Sequence, residues 1–204
     1  QLITISITFP SFPYLGQNIT EDGKCENEIK RRIGIAKTTF SKMTKVLTSR
    51  NIHLKTRKRI LQCYVWSTLL YGMETWTISR NMWKRLSAFE FWTYRRMLRI
   101  SWTDKVTNEE VLKKINIKNR LMTTIQTKKL RYFGHIVRHG GESLHRVILD
   151  LKVDGKRGRE RPRKSWSDNI TKWSGLPYST AVRGAQKREI WRTIASNPRP
   201  EEGT

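Results

Sequence analysis

The sequence predicts a mainly α-helical chain with a small β element at its amino end, and three observations carry that prediction. From Cys25 to Ile194 apolar residues recur mostly at spacings of three and four, the repeat of an amphipathic helix. Residues 2–9 instead alternate apolar and polar side chains. Eight Trp, six Tyr and six Phe are too many aromatics for a disordered basic tail and enough to furnish folded cores.

Ile3, Ile5, Ile7 and Phe9 read as one face of a half-buried strand, which Pro10 and Pro13 end. Ile29, Ile33, Ala36, Phe40, Met43 and Leu47 then share one helical face, a core-facing stripe, while Lys30, Arg31, Lys37, Lys42 and Lys45 fall elsewhere on the circumference. A second helical stripe runs through Ile60, Tyr64, Ser67 and Tyr71, with Lys55, Arg57, Lys58 and Arg59 in its first turns. Cations at a helix start oppose the macrodipole by about 0.3–1 kcal/mol each when exposed, which a neighbouring phosphate would offset. A third helix opens at Ser79 as N-cap, carries Trp83, Leu86, Phe89, Trp92 or Tyr94, and Met97, and ends near Trp102.

Thr107-Asn108-Glu109-Glu110 has the form of a capping box and starts a short helix through Val111, Leu112 and Ile115. After a break at Asn116 comes a longer helix with Leu121, Ile125, Tyr132 and Ile136, and with Lys128, Lys129 and Arg131 beside them. The pair has the outline of a helix-turn-helix, as do many helical hairpins that bind nothing. Residues 152–164 hold seven basic residues against two acidic ones, and Gly155, Gly158 and Pro162 forbid a regular helix, so the segment is predicted to be a basic loop. Trp166, Ile170 and Trp173 predict a short helix closed by Gly175, and a last helix runs from about Ser179 past Trp191 to Ile194; the tail from Asn197 has no periodicity and is predicted to be loose.

Charge bounds the partners. Lys and Arg number 41 against 17 Asp and Glu, a formal net charge of +24, and so much repulsion calls for a polyanion to neutralise it. Nucleic acid is the obvious polyanion. An anionic membrane surface competes with it, but the longest apolar stretches fall far short of the roughly 20 residues that span a bilayer, and no signal peptide is visible. Cys25 and Cys63 make neither a metal-ligand spacing nor a disulfide framework, which suits a reducing intracellular compartment, nucleus or cytoplasm undecided. The chain opens on Gln1, which predicts an amino end that continues upstream.

No catalytic constellation is visible. Nucleotidyl transfer needs carboxylates held together around metal ions, and Asp22, Asp104, Asp150, Asp154 and Asp168 are all isolated. Asp104 and Asp168 sit where helix caps are expected. His135 and His139 share a helix face, with His145 nearby, but a fourth ligand is missing for zinc. Walker-type and Rossmann-type glycine loops are absent. What remains is binding chemistry: Lys and Arg on phosphates, aromatics on unpaired bases. For Trp66, Trp76, Trp83, Trp92 and Trp102 core packing is the default role. The loop residues Lys156, Arg157, Arg159, Arg161, Arg163 and Lys164 are the best phosphate-binding candidates, against the alternative of a solvated linker.

Several ordered blocks resemble non-LTR (LINE-type, RTE-like) retrotransposon endonuclease–reverse transcriptases: Tyr14-Leu15-Gly16, Ile19-Thr20, Asp22-Gly23, Glu28-Ile29 and Arg32-Ile33; Leu70-Tyr71-Gly72-Met73-Glu74-Thr75-Trp76; Phe89-Glu90 and Arg95-Arg96-Met97-Leu98; Thr107 to Leu112; Gly134-His135-Ile136-Val137-Arg138; and Gly155-Lys156-Arg157-Gly158-Arg159 with Arg161-Pro162-Arg163. The likeness covers about residues 12–195. It implies a thumb and carboxy-terminal segment of an RNA-directed DNA polymerase, gripping RNA, RNA–DNA hybrid or DNA beside the palm and fingers of a parent polyprotein. Magnesium belongs to that parent; no cofactor is expected in this chain. By the same analogy Lys30, Arg31, Lys37, Lys42 and Lys45 line the thumb side of the duplex, touching backbone and not bases. Glu160 and Arg161 interrupt the Arg-Gly-Arg-Pro run that family members often carry.

The implied organisation is the end of a palm-like region over 1–23, a thumb-like helical bundle over 24–103, a second helical module of a hairpin over 104–150, a basic loop over 151–165, carboxy-terminal helices over 166–196 and a disordered tail over 197–204. Two readings stand beside it: a domesticated helix-turn-helix-like binding module, and an inert relic without a stable fold.

Overall fold

A computed structural model describes residues 11–20, 25–118, 120–139 and 164–200. It is mainly helical with a small two-stranded antiparallel sheet near the amino end. The described residues form two compact units. The first takes the chain to Gly72 together with Arg80–Lys118, and the second takes Met73–Ser79 together with the chain beyond Asn119. The strand predicted over residues 2–9 and the basic loop up to Arg163 lie outside the described residues.

In the first unit, β1 (Ser11–Tyr14) pairs with β2 (Gln17–Thr20), Tyr14 opposite Gln17 and Ser11 opposite Thr20. Leu15 and Gly16 both have positive φ, 46° and 76°, so the turn is the mirror-image two-residue kind whose twist suits a hairpin. Pro13 lies inside β1, where the sequence places a strand end. It faces Asn18 at a non-hydrogen-bonded position, where its missing N–H costs no ladder bond.

Helix α1 (Glu26–Lys42) buries Ile29, Ala36 and Phe40, breaks at Met43, and resumes as α2 (Thr44–Leu47) with Leu47 buried. Glu28, only 3% exposed, locks α1 to the hairpin. Its carboxylate accepts from Arg31 Nε and Arg32 Nε, both at 2.8 Å, and from the Asn18 backbone N–H at 3.0 Å. Both guanidinium groups also donate to the Gly16 carbonyl. Burial alone would raise the Glu28 pKa; the hydrogen bonds from Arg31, Arg32 and Asn18 outweigh it and hold the carboxyl below its ordinary range.

The next helix departs from its predicted face. It runs as α3 (Leu54–Ile60), a π-helical turn over Leu61–Trp66, and α4 (Ser67–Leu69). Tyr64 and Tyr71 are 57% and 50% exposed, and the core is reached by Leu61, Val65, Trp66 and Leu69. A π turn holds more than four residues, so side chains four apart stay in line and Leu61, Val65 and Leu69 fall on one face. Tyr71 donates its hydroxyl to the Leu15 carbonyl at 2.9 Å and carries Arg32 over its ring at 4.5 Å. Gly72 follows at φ +69°, with the Gln17 side chain where a Cβ would stand.

Helix α5 (Arg80–Leu98) buries Met82, Leu86, Phe89, Glu90, Tyr94 and Met97. It ends at Leu98, before the predicted limit at Trp102: Arg99 turns left-handed at φ 56°, and the Ile100 N–H closes back on the Arg95 carbonyl at 2.9 Å. Trp102 sits on a short 3-10 turn and is 88% exposed, not packed in the core. Helix α6 (Asn108–Ile115) opens with the predicted capping box between Thr107 and Glu110, and the hydrogen bonds from Thr107 hold the Glu110 carboxyl below its ordinary range. It packs on α5 within the first unit.

In the second unit α7 (Leu121–Arg138) is surrounded by α8 (Trp166–Ser174), α9 (Tyr178–Gln186) and α10 (Arg188–Ser196). The sequence predicts one last helix; an extended Lys187 divides it in two. Lys129, which the sequence places beside the core face, is completely buried. Its ammonium donates to the Trp76 carbonyl and, at 3.0 Å, to Asn169 Oδ1, with the rings of Trp166 and Trp173 at 4.7 and 5.6 Å. Asn169 also pairs both ways with the backbone of Ile78, at 2.9 and 3.1 Å. Trp191 donates to the Leu130 carbonyl at 2.7 Å and lies over Gly134, where a Cβ would come within 2.3 Å of its ring. The start of the tail is anchored, contrary to expectation: the Arg199 N–H donates to the Trp173 carbonyl at 2.8 Å and its carbonyl accepts from Gln126 at 3.0 Å.

Two outcomes follow from these locks. Asn169→Ala strands the Ile78 backbone and one bond of the buried Lys129 ammonium, and should cost about 3 kcal/mol of second-unit stability in urea unfolding; a loss under about 1 kcal/mol would mean the cluster relaxes freely. Because the folded Glu28 pKa is depressed, its contribution is present above the unfolded value of 4.5 and is lost as pH falls through the folded pKa. Glu28→Gln should therefore differ most from the parent in urea midpoint at neutral pH and converge with it on acidification, and a pH-independent difference would contradict this.

Candidate nucleic-acid interface

The cations of this chain divide by what their donors touch. Arg31 and Arg32 are engaged with Glu28 and the hairpin turn. Arg57 donates to the carbonyls of Ile52 at 2.9 Å and Met97 at 2.8 Å, and Lys58 to those of Ile115 and Asn116 at 3.1 and 2.9 Å. The crowded start of α3 is thus compensated in part by the carbonyl ends of α5 and α6, where a cation is favoured. Arg95, Arg99 and Arg138 likewise cap backbone carbonyls, of Val106, Thr48 and Ala185.

Lys30, Lys37 and Arg85 are different. All three are exposed, and none is ion-paired to a described residue. They stand around a groove of about 450 Å³ between α1 and α5, wholly within the first unit. Its floor is apolar: Ile33 from α1, and Ala88, Phe89 and Trp92 from α5, with Gly34 completing the α1 side. Trp92 is half-buried, set edge-on to Phe40 at 5.1 Å and stacked near Phe89 at 5.9 Å, which fixes its ring. Arg96 lies over that ring at 4.6 Å and Lys37 at 5.6 Å.

Helical geometry explains why α1 serves three neighbours at once. At 100° per residue, Ile29, Ala36 and Phe40 point to the core, Glu28, Arg31 and Arg32 toward the hairpin, and Lys30, Gly34 and Lys37 to the groove. On α5, Arg85, Phe89 and Trp92 recur at i, i+4 and i+7, which brings them to the facing wall. An aromatic floor inside a ring of uncompensated cations suits an anion that carries flat rings; Coulomb attraction and counterion release act on the charge, and dispersion on the rings.

Of the residues expected to bind nucleic acid, Lys30 and Lys37 meet at the groove. Lys42 and Lys45 are exposed but do not line it, and Arg31 is drawn into the Glu28 cluster. Lys164 is half-buried directly before the Ser165 cap of α8, and Lys156, Arg157, Arg159, Arg161 and Arg163 lie outside the described residues. Arg85 and Arg96 were not foreseen, and Trp92 was assigned to the core alone. The spacing of Arg85, Phe89 and Trp92 was the available signal.

The described carboxylates do not converge. Asp104 and Asp168 close capping boxes with Ser101 and Ser165, as expected of them, and Glu90 accepts from the Tyr94 hydroxyl at 2.8 Å. His135 and His139 touch, ring centres 4.1 Å apart, but among the described residues no three His, Cys, Asp or Glu side chains gather as a metal site. Among them, too, no helix is long and apolar enough to cross a membrane.

Comparison of the chain with protein-family models, with curated proteins and with solved structures finds no match in any of the three.

Proposed function

We propose that this chain holds nucleic acid by its backbone, as the thumb and carboxy-terminal segment of a non-LTR retrotransposon type of reverse transcriptase, for an active centre formed outside the residues described. The observation that carries the proposal is the groove between α1 and α5, where Lys30, Lys37 and Arg85 stand uncompensated around an aromatic floor. So much fixed positive charge with no internal partner is the electrostatic footprint of a polyanion. The binding mode is electrostatic and sequence-tolerant, as a sliding polymerase requires.

Two further features support the reading. Three blocks of the family resemblance, Tyr14-Leu15-Gly16, Glu28 with Arg32, and Tyr71-Gly72, meet in one hydrogen-bonded cluster, so they act as parts of one folded unit. Helices α6 and α7 fall in different compact units, which weakens the alternative of a helix-turn-helix reader.

Fluorescence anisotropy should show binding to structured RNA and to RNA–DNA hybrid that falls steeply with salt and is indifferent to sequence. Joint substitution of Lys30, Lys37 and Arg85 by Gln should weaken it at least tenfold at low ionic strength and flatten the log–log salt slope by about 2–3. A folded protein that ignores both ligands at low salt overturns the proposal, and strong preference for one duplex DNA site would transfer it to a sequence-reading regulator. With primer–template and Mg²⁺ the purified chain should incorporate no nucleotide; metal-dependent incorporation would place the catalytic centre inside it.

A further inference from the structure

A glycine in the middle of a helix destabilises it relative to alanine, so its presence calls for a reason. Gly34 lies in the interior of α1, has no positive φ, and a Cβ built on it would meet nothing within 4 Å. Packing does not require it. The one thing Gly34 preserves is open space in the groove, whose facing wall carries another small residue, Ala88.

That space has a definite chemistry. Its floor is the fixed ring of Trp92 with Phe89 behind it, and its rim is Lys30, Lys37 and Arg85. Duplex nucleic acid presents only phosphates and groove edges to a protein surface and gains nothing from a recessed aromatic floor. An unpaired nucleotide offers a flat base and a phosphate together, and the volume of about 450 Å³ accommodates one base with its sugar. We infer that the groove between α1 and α5 is a subsite for a single unpaired nucleotide, with its base against Trp92 and its phosphates among Lys30, Lys37 and Arg85. The inference rests on the proposed binding of nucleic acid and adds to it a preference for strands with an unpaired segment.

The experiment fills the space without altering charge. A labelled oligouridylate of twelve residues and a blunt-ended RNA–DNA hybrid of twelve pairs are titrated by anisotropy against the parent chain, Gly34→Ala and Gly34→Phe, with thermal melts of each. Gly34→Ala should melt higher, since alanine favours the helix, and should bind both ligands as the parent does. Gly34→Phe should weaken the oligouridylate tenfold or more, the order expected for one displaced stacked base, and leave the blunt hybrid within twofold. Should Gly34→Phe melt well below the parent, Gly34→Leu provides the same plug with less bulk and must show the same selective loss. Equal binding of oligouridylate by the plugged and parent chains overturns the subsite while leaving the wider proposal standing. A parent chain that binds neither ligand overturns both.

Discussion

Glu28 is the interaction on which the first unit is organised. A chain carrying 41 cations and 17 acids has few carboxylates with which to fix an inward-turned arginine. This one neutralises Arg31 and Arg32 together, accepts the Asn18 N–H, and thereby seats the hairpin turn on α1. Once the hairpin occupies that side of the helix and Ile29, Ala36 and Phe40 occupy the core side, the remaining arc with Lys30, Gly34 and Lys37 faces α5 across the groove. The binding surface is the part of α1 that neither neighbour claims.

The second unit solves a similar problem with opposite means. Lys129 is withdrawn completely from solvent and satisfied by a backbone carbonyl, an amide oxygen and two indole faces. A buried ammonium without a carboxylate partner stays tolerable because each of these supplies partial negative charge along a defined direction. Asn169 links the same ammonium to the backbone of Ile78, so the segment from Met73 to Ser79 belongs to this unit although the chain on both sides of it belongs to the other.

Local signals in the sequence were reliable wherever their cause was local. The Thr107–Glu110 box, the Asp104 and Asp168 caps, the Gly175 stop and the α1 stripe all follow from bonds within a few residues. The failures share a cause that lies at a distance or in a change of helical pitch. The face of the helix from Leu54 was misread because its middle is wound as a π turn. Lys129 was taken for a flanking cation because its partners are contributed by Trp76 and Asn169, and the tail at Arg199 looked loose because Trp173 and Gln126 hold it. At the candidate site, half was legible: Lys30 and Lys37 could be named from the sequence, but their selection over Lys42 and Lys45 depends on where α5 packs.

The winding of Leu61–Trp66 has an implication for how this region tolerates change in length. A π turn accommodates one residue more than an α-helix does over the same rise. Excising any one residue there would let the segment relax to ordinary α pitch, at little local cost. Everything after it would then rotate by about 100° about the axis, carrying Leu69 out of the interior and Tyr71 away from the Leu15 carbonyl. This stretch therefore acts as a phase adjuster between the basic start of the helix and the corner that receives the hairpin, and the length of the segment matters there more than its individual side chains.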